Sequence, residues 1–180
     1  MRRCLIAFVQ SMGNENLKNT VAIRQAMPSD SETLLGLLDE LADYEKLDRP
    51  DIGARERIIR DAFSERPPFE VFLAETPDGA VVGYAMVLPK YSSFLALPTL
   101  YLEDIFVRPG QRSAGAGSAL FAHVVKLADE RGCGRVEFTV LIWNSLAREF
   151  YERRGVKHLD DWCFYRLGRE DFGKVLEDRP

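Results

Sequence analysis

The sequence predicts an α/β (α+β) chain organised around a mixed, mostly antiparallel twisted sheet with helices on both faces. Three observations carry that reading. Two strand-like apolar runs, Val71-Phe72-Leu73-Ala74 and Val81 to Leu88, flank a Pro77-Asp78-Gly79 turn, which is the chemistry of a β-hairpin. Stripes of apolar residues at helical spacing lie before and after that hairpin, so helical layers are available for either face of a sheet. A strand-like run over 100–107 leads through a glycine-bearing loop into a helix-like run over 118–130, the strand–loop–helix order of a crossover unit.

The elements follow in order. Val21 to Arg24 reads as a first strand, and Ser29-Asp30-Ser31-Glu32 has the spacing of a capping box that opens a helix with Leu34, Leu35, Leu38 and Leu41 on one face. That helix is expected to run to about Tyr44. Arg49-Pro50 interrupts the chain, and Ile58, Ile59, Ala62 and Phe63 mark a second helix that Pro67-Pro68 ends. After the hairpin and the strand at 100–107, Leu120, Val124, Val125, Leu127 and Ala128 form a buried helical stripe closed by Gly132-Cys133-Gly134. A strand from Val136 to Leu141, a short helix from Ser145 to Arg153 and a final strand near Phe164-Tyr165-Arg166-Leu167 complete the expectation.

With 180 residues and 46% hydrophobic content, the chain can bury one core, and residues 20–180 are expected to form a single domain. Residues 1–19 are expected to be a disordered extension. Their apolar run Cys4 to Val9 is too short for a membrane span and lacks a small-residue cleavage pattern. A net charge of −4 with interspersed signs argues against nucleic acid as a partner and suits a small cationic substrate. Cys4, Cys133 and Cys163 show neither disulfide nor zinc spacing, so a reducing cytoplasm and no metal are expected; His123 and His158 are isolated.

The loop Arg112-Ser113-Ala114-Gly115-Ala116-Gly117-Ser118 is the most informative segment. Its glycines remove Cβ atoms that would hold a ligand off the backbone. Amides at the start of the following helix, together with the positive end of its dipole, then suit a pyrophosphate, with Arg112 adding charge. Leu120 stands where a dinucleotide fingerprint needs its third glycine, and no Gly-Lys-Ser/Thr ending is present, so NAD and ATP readings weaken.

The Arg-x-x-Gly-x-Gly spacing after an apolar strand, with Asn144 to Tyr151 downstream, resembles the acetyl-CoA loop of the GCN5-related N-acetyltransferases (GNAT). Leu41 to Glu45, Tyr101 to Val107, Trp143-Asn144 and Phe150 to Gly155 are similar to the diamine (spermidine/spermine) and thialysine acetyltransferase branch of that superfamily. The resemblance runs from about Val21 to Leu176. It implies splayed central strands holding acetyl-CoA, a primary amine of a small cationic metabolite as acceptor, and a homodimer. The chain departs from the branch at Ser113, where a glycine is common, and at Leu141-Ile142, where polyamine enzymes carry polar or acidic residues. Acetylation of a protein or peptide amine, and a non-catalytic acyl-CoA-binding module, are the alternatives.

A protonated amine must lose a proton before attacking a thioester, so a base is needed. Glu103 lies just ahead of the loop, and the resemblance selects it over Asp104; in a regular strand the two face opposite sides unless a bulge intervenes. The resemblance makes Tyr151 the acid for the departing thiolate, and has Asn144 and Ala147 line the far side of the cofactor. Backbone groups of Ile105, Phe106 and Val107 are expected to bind the pantetheine amides and the oxyanion. Tyr44, Glu45, Glu137 and Thr139 look like the amine pocket.

Overall fold

The computed structural model describes residues 21–177 other than Ser113, so the expected extension at 1–19 lies outside the described residues. The chain falls into two compact units, one ending at Thr139 and the other beginning at Val140.

The first unit is a five-stranded sheet in sequential order, β1 (Ala22–Gln25), β2 (Glu70–Glu75), β3 (Val81–Ser92), β4 (Leu97–Val107) and β5 (Arg135–Glu137). Every neighbouring pair is antiparallel except β4 with β5, which is parallel. A parallel pair needs a crossover, and α3 (Ala116–Glu130) supplies it. The mixed, mostly antiparallel sheet expected from the sequence is therefore the one observed. The hairpin turn forms with Gly79 at φ 86°, a conformation that favours glycine.

Side chains alternate across the sheet, and each face has its own cover. Leu34 and Leu37 of α1 (Ser31–Glu45), both fully buried, pack in one cluster with Val71, Leu73, Tyr84, Met86 and Phe106. Each such leucine contributes about 1.5–3 kcal/mol relative to an exposed position. The alternate residue Phe72 meets His123 of α3, with ring centroids 4.5 Å apart, on the opposite face. Leu120, Phe121, Val124 and Ala128 are the buried stripe of α3. On α1 the deeply buried residues are Leu34, Leu35, Leu37 and Ala42, and Leu38 and Leu41 pack partly buried against the same cluster, so Leu37 adds to the expected face.

The start of α1 departs from the capping box read from the sequence. Asp30 accepts the Met27 N–H at 2.8 Å and a bidentate pair of bonds from Arg24 at 2.7 and 2.9 Å, so its carboxylate reaches back to β1 instead of capping the helix. The second helix, α2 (Ile52–Ala62), is capped by Asp51, which accepts the Ala54 N–H at 2.7 Å. Between α1 and α2 runs a groove bounded by Leu35, Ile52, Arg55 and Ile59.

The second unit carries α4 (Ser145–Glu152) and a short α5 (Phe172–Glu177). Two strand expectations fail near it. The strand at Val136 to Leu141 is realised only as β5, and Phe164 to Leu167 forms no strand, its Phe164, Tyr165 and Leu167 side chains lying exposed. Aromatic composition favours a pleated, half-buried surface, but a strand exists only where another edge takes its backbone hydrogen bonds.

Close packing of β3 on β4 leads to a direct test. A Cβ at Gly83 would stand 2.4 Å from the Phe106 carbonyl oxygen and 3.0 Å from Val107 Cγ2. Gly83→Ala is expected to lower stability by about 1–3 kcal/mol through overpacking, read as a lower urea midpoint at unchanged slope.

Candidate active site

The pairing of β3 with β4 contains an irregularity that organises the site. Met86 pairs with Asp104 and the next residue, Val87, pairs with Leu102, so Glu103 is an extra residue in β4. Such a bulge places two residues opposite one and shifts the side-chain alternation on the strand. On one side of it Asp104 and Phe106 share the α1 face with their partners Met86 and Tyr84. On the other side Leu100 and Leu102, both almost fully buried, fall on the opposite face with Val87. Glu103, unpaired in the ladder, is exposed.

Carboxylates gather around the bulge. Burial, with the charges of Glu103 and Glu45 nearby, pushes the Asp104 carboxyl up to about 6, against a hydrogen bond from Tyr84 that favours the anion. The Tyr84 hydroxyl donates to Asp104 Oδ2 at 3.2 Å, and burial keeps that phenol protonated well above its ordinary range. Glu45 ends α1, and burial raises its carboxyl too. A carboxylate in the last turn faces the negative end of the helix dipole, which costs about 0.3–1 kcal/mol unless a cation sits there.

Neighbouring acids are treated differently. Glu75 pairs with Arg24, Glu70 with Arg131 and Glu40 with Arg108. Among the described residues, Glu45, Glu103 and Asp104 have no ion pair with a lysine or arginine. Three uncompensated carboxyl groups on one side of a strand form an attractive locus for an ammonium ion.

The open edge of β4 lies beyond its short pairing with β5, which involves only Thr99, Leu100 and Tyr101. Arg108 N–H bonds the Val82 carbonyl, so by alternation Phe106 directs its backbone groups into the β3 ladder, while Ile105 and Val107 direct theirs to the open edge. The Val107 carbonyl accepts from Arg112 Nε at 3.0 Å. Arg112 also lies over the Tyr44 ring, 4.5 Å from its centroid, which brings the loop's cation to the end of α1. Arg108 fixes that end of the sheet to α1 through forked bonds to Glu40 at 2.8–3.0 Å and a bond to the Val81 carbonyl at 2.7 Å.

Gly115, at φ 88°, immediately precedes α3, and a Cβ there would meet nothing within 4 Å. The helix has no side-chain cap, Ala119 N–H bonds the Gly115 carbonyl, and Gly115 is exposed with Gly117 half-buried, so the backbone there offers a phosphate group an approach. Ser113 lies outside the described residues; Ala114 is exposed and Ala116 is buried. These residues fit a pyrophosphate.

Glu137 differs from Glu45, Glu103 and Asp104 in that its charge is matched by Lys90 and Arg135, each at 2.7 Å, and Thr139 is an exposed residue beyond β5. In the second unit Asn144 caps α4 by accepting the Ala147 N–H at 3.1 Å. Tyr151 on the same helix is buried, and desolvation pushes its phenol up to about 12, so it holds its proton at neutral pH. Tyr84 and the Glu40–Arg108 clamp are the features sequence reading missed. The one available signal for Tyr84 was a polar-tipped ring inside an otherwise apolar run, since a buried tyrosine hydroxyl usually has a partner.

Comparison with known proteins shows a family and a fold. Residues 34–156 match the Acetyltransferase (GNAT) family. Thialysine N-epsilon-acetyltransferase of Bos taurus is 34% identical over 160 residues, covering 83% of this chain and 94% of that protein. Spermidine/spermine N(1)-acetyltransferase-like protein 1 of Homo sapiens is 32% identical over 159 residues, 83% of this chain and 23% of its own length. Among solved structures, an integron cassette protein of V. cholerae superposes with a TM-score of 0.73 at 23% identity, covering 88% of this chain and 98% of that one, a likeness of fold.

Because its folded-state pKa is raised, ionised Asp104 opposes folding; the group's relative stabilisation is full below its unfolded value near 3.8 and is lost as pH rises through about 6. Asp104→Asn is therefore expected to be more stable than the parent at pH 7.5, by about 1–3 kcal/mol. That gap should shrink as pH falls through 6 toward 4, as measured by urea unfolding across the range.

Proposed function

The chain belongs to the acetyltransferase (GNAT) family, and from that premise we propose that it moves the acetyl group of acetyl-CoA to a primary amine of a small cationic metabolite by direct attack. A polyamine, a diamine or a lysine analogue such as thialysine is the acceptor class. The names of relatives that share most of this chain support acetyl transfer to small amines. The observation that carries the acceptor class is the group of carboxyls at Glu103, Asp104 and Glu45, without cationic partners among the described residues. Residues 20–180 act as one acetyltransferase domain, a reading supported by a family match that runs across Thr139.

Bound acetyl-CoA supplies the thioester carbonyl and the thiolate leaving group. The loop from Arg112 to Ser118 holds its diphosphate, and the open edge at Ile105 and Val107 meets its amides and its carbonyl oxygen. Asn144 and Ala147 line its far side by resemblance. Glu103 attracts the ammonium and takes its proton, directly or through water, which frees the nitrogen lone pair. Tyr151 gives its proton to the departing sulfur, a role suited to a phenol that desolvation keeps protonated. Tyr44 and Glu45 receive the alkyl and cationic parts of the acceptor.

A homodimer formed through the C-terminal segment is part of this reading, supported by exposed Trp162, Phe164, Tyr165 and Leu167. Residence in a reducing cytoplasm accords with free Cys133 and Cys163. Among the described residues no helix is long and apolar enough to cross a membrane, and no cluster of three metal-ligating side chains is present.

Incubation with acetyl-CoA and a panel of spermidine, spermine, putrescine, thialysine and lysine tests the proposal by release of free thiol. At least one amine should support turnover, and Tyr151→Phe and Glu103→Gln should each lower kcat by about 10²–10⁴ while acetyl-CoA still binds by calorimetry. Binding of acetyl-CoA without thiol release for any amine would sink the enzymatic reading.

A further inference from the structure

We propose that Tyr84 is a positioning residue for the amine: reaching across from β3, its hydroxyl fixes the Asp104 carboxylate beside Glu103, so that the substrate ammonium meets two carboxylates instead of one. The inference rests on the reading that this site takes an amine and assigns a task to a residue that reading leaves unused.

The geometry begins with burial. Tyr84 has no exposed surface and sits among Leu34, Leu37, Val71, Leu73 and Met86, which offer a hydroxyl nothing to bond. A buried hydroxyl without a partner carries its full desolvation penalty, so an apolar ring would serve the core better unless the oxygen has a task. Asp104 supplies its partner at 3.2 Å. The bulge makes the contact possible, because it puts Asp104 opposite Met86, diagonal to Tyr84 on the same face, and leaves Glu103 adjacent on the same strand.

The charged and titratable groups facing Asp104 are Tyr84 from β3, Glu103 from its own strand and Glu45 from α1. Two of these are anions that favour the neutral form of Asp104, and burial does the same. Tyr84 alone favours the anion, as a neutral donor whose own proton is held by burial. Asp104 therefore ionises near neutral pH with the help of one hydrogen bond, and in that state it adds a second negative group for the amine. Losing the donor leaves Asp104 protonated to higher pH, and the site then offers one carboxylate fewer at pH 6–7.

The test is Tyr84→Phe, which keeps ring volume and so the packing of the core. Carbon-13 carboxyl NMR of Asp104 in the enzyme without substrate should give a midpoint near 6 for the parent and about one pH unit higher for the variant, the size expected for loss of one hydrogen bond to a charged acceptor. In turnover, the acid limb of kcat/KM for the amine should move by the same amount. KM for the amine at pH 6.5 should rise about three- to tenfold, with KM for acetyl-CoA unchanged. Asp104→Glu, which moves the carboxylate off the hydroxyl while leaving Tyr84 in place, should show the same shift, and in an Asp104→Asn background Tyr84→Phe should have no effect on the pH profile. An unchanged NMR midpoint, or a loss of activity equal at every pH, overturns the proposal. A midpoint that moves in a protein that acetylates no amine supports the hydrogen-bond role and places the failure in the functional reading.

Discussion

The extra residue at Glu103 is the constraint on which the architecture of the first unit depends. A strand alternates strictly, so a continuous register between β3 and β4 would put Leu102 and Asp104 on the same face. The core needs Leu100 and Leu102 on the face opposite α1, while Phe106 belongs to the cluster under α1. One inserted residue reconciles the two demands, and it does so where β4 loses its contact with β5 and becomes an open edge. The same irregularity that preserves two hydrophobic layers thus interrupts the ladder at the only glutamate of the strand and sets an aspartate beside it.

Electrostatics makes sense of the carboxyls gathered there. Elsewhere in the first unit, several acids on the sheet and on α1 meet arginines or lysines, as at Glu40, Glu70, Glu75 and Glu137. Around the bulge the opposite holds: desolvation and mutual repulsion raise Asp104, burial raises Glu45, and α1 ends without a basic residue in its last turn. A folded protein keeps such an arrangement at a cost in stability, and a cationic ligand is the natural compensation. Arg112 does not supply it, since its guanidinium lies over Tyr44 and bonds the Val107 carbonyl. The loop's cation is thereby engaged at the end of α1 and on the Val107 carbonyl, and among the described residues no ion pair links it to Glu103 or Asp104.

Much of the candidate site was legible from residue order. The glycine loop before α3, the acidic pair at 103–104 and the helix end at Tyr44-Glu45 all stand out in a linear reading because their chemistry is local: a positive φ, a dipole end, adjacent carboxylates. Glu137 shows the limit of that reading, for a carboxylate on a strand near the loop looks available until its partners Lys90 and Arg135 are seen. Tyr84 shows the converse. Its distance to Asp104 spans twenty residues and two strands, and no pattern within either strand encodes it.

By itself the sequence determined the kind of the main elements, the antiparallel hairpin, the crossover helix and the glycine turn ahead of it, since each follows from turn chemistry or from the period of apolar residues over a short stretch. Only the tertiary structure decided that Glu103 is a bulge and that Asp104 turns to Tyr84. It also decided that Leu37 joins the buried face of α1 and that the aromatic run at 164–167 forms no strand. The physical reason is common to all four: register, burial and strand pairing are properties of two segments meeting, and a hydrogen-bond ladder or a packed face acquires its identity only from the partner opposite.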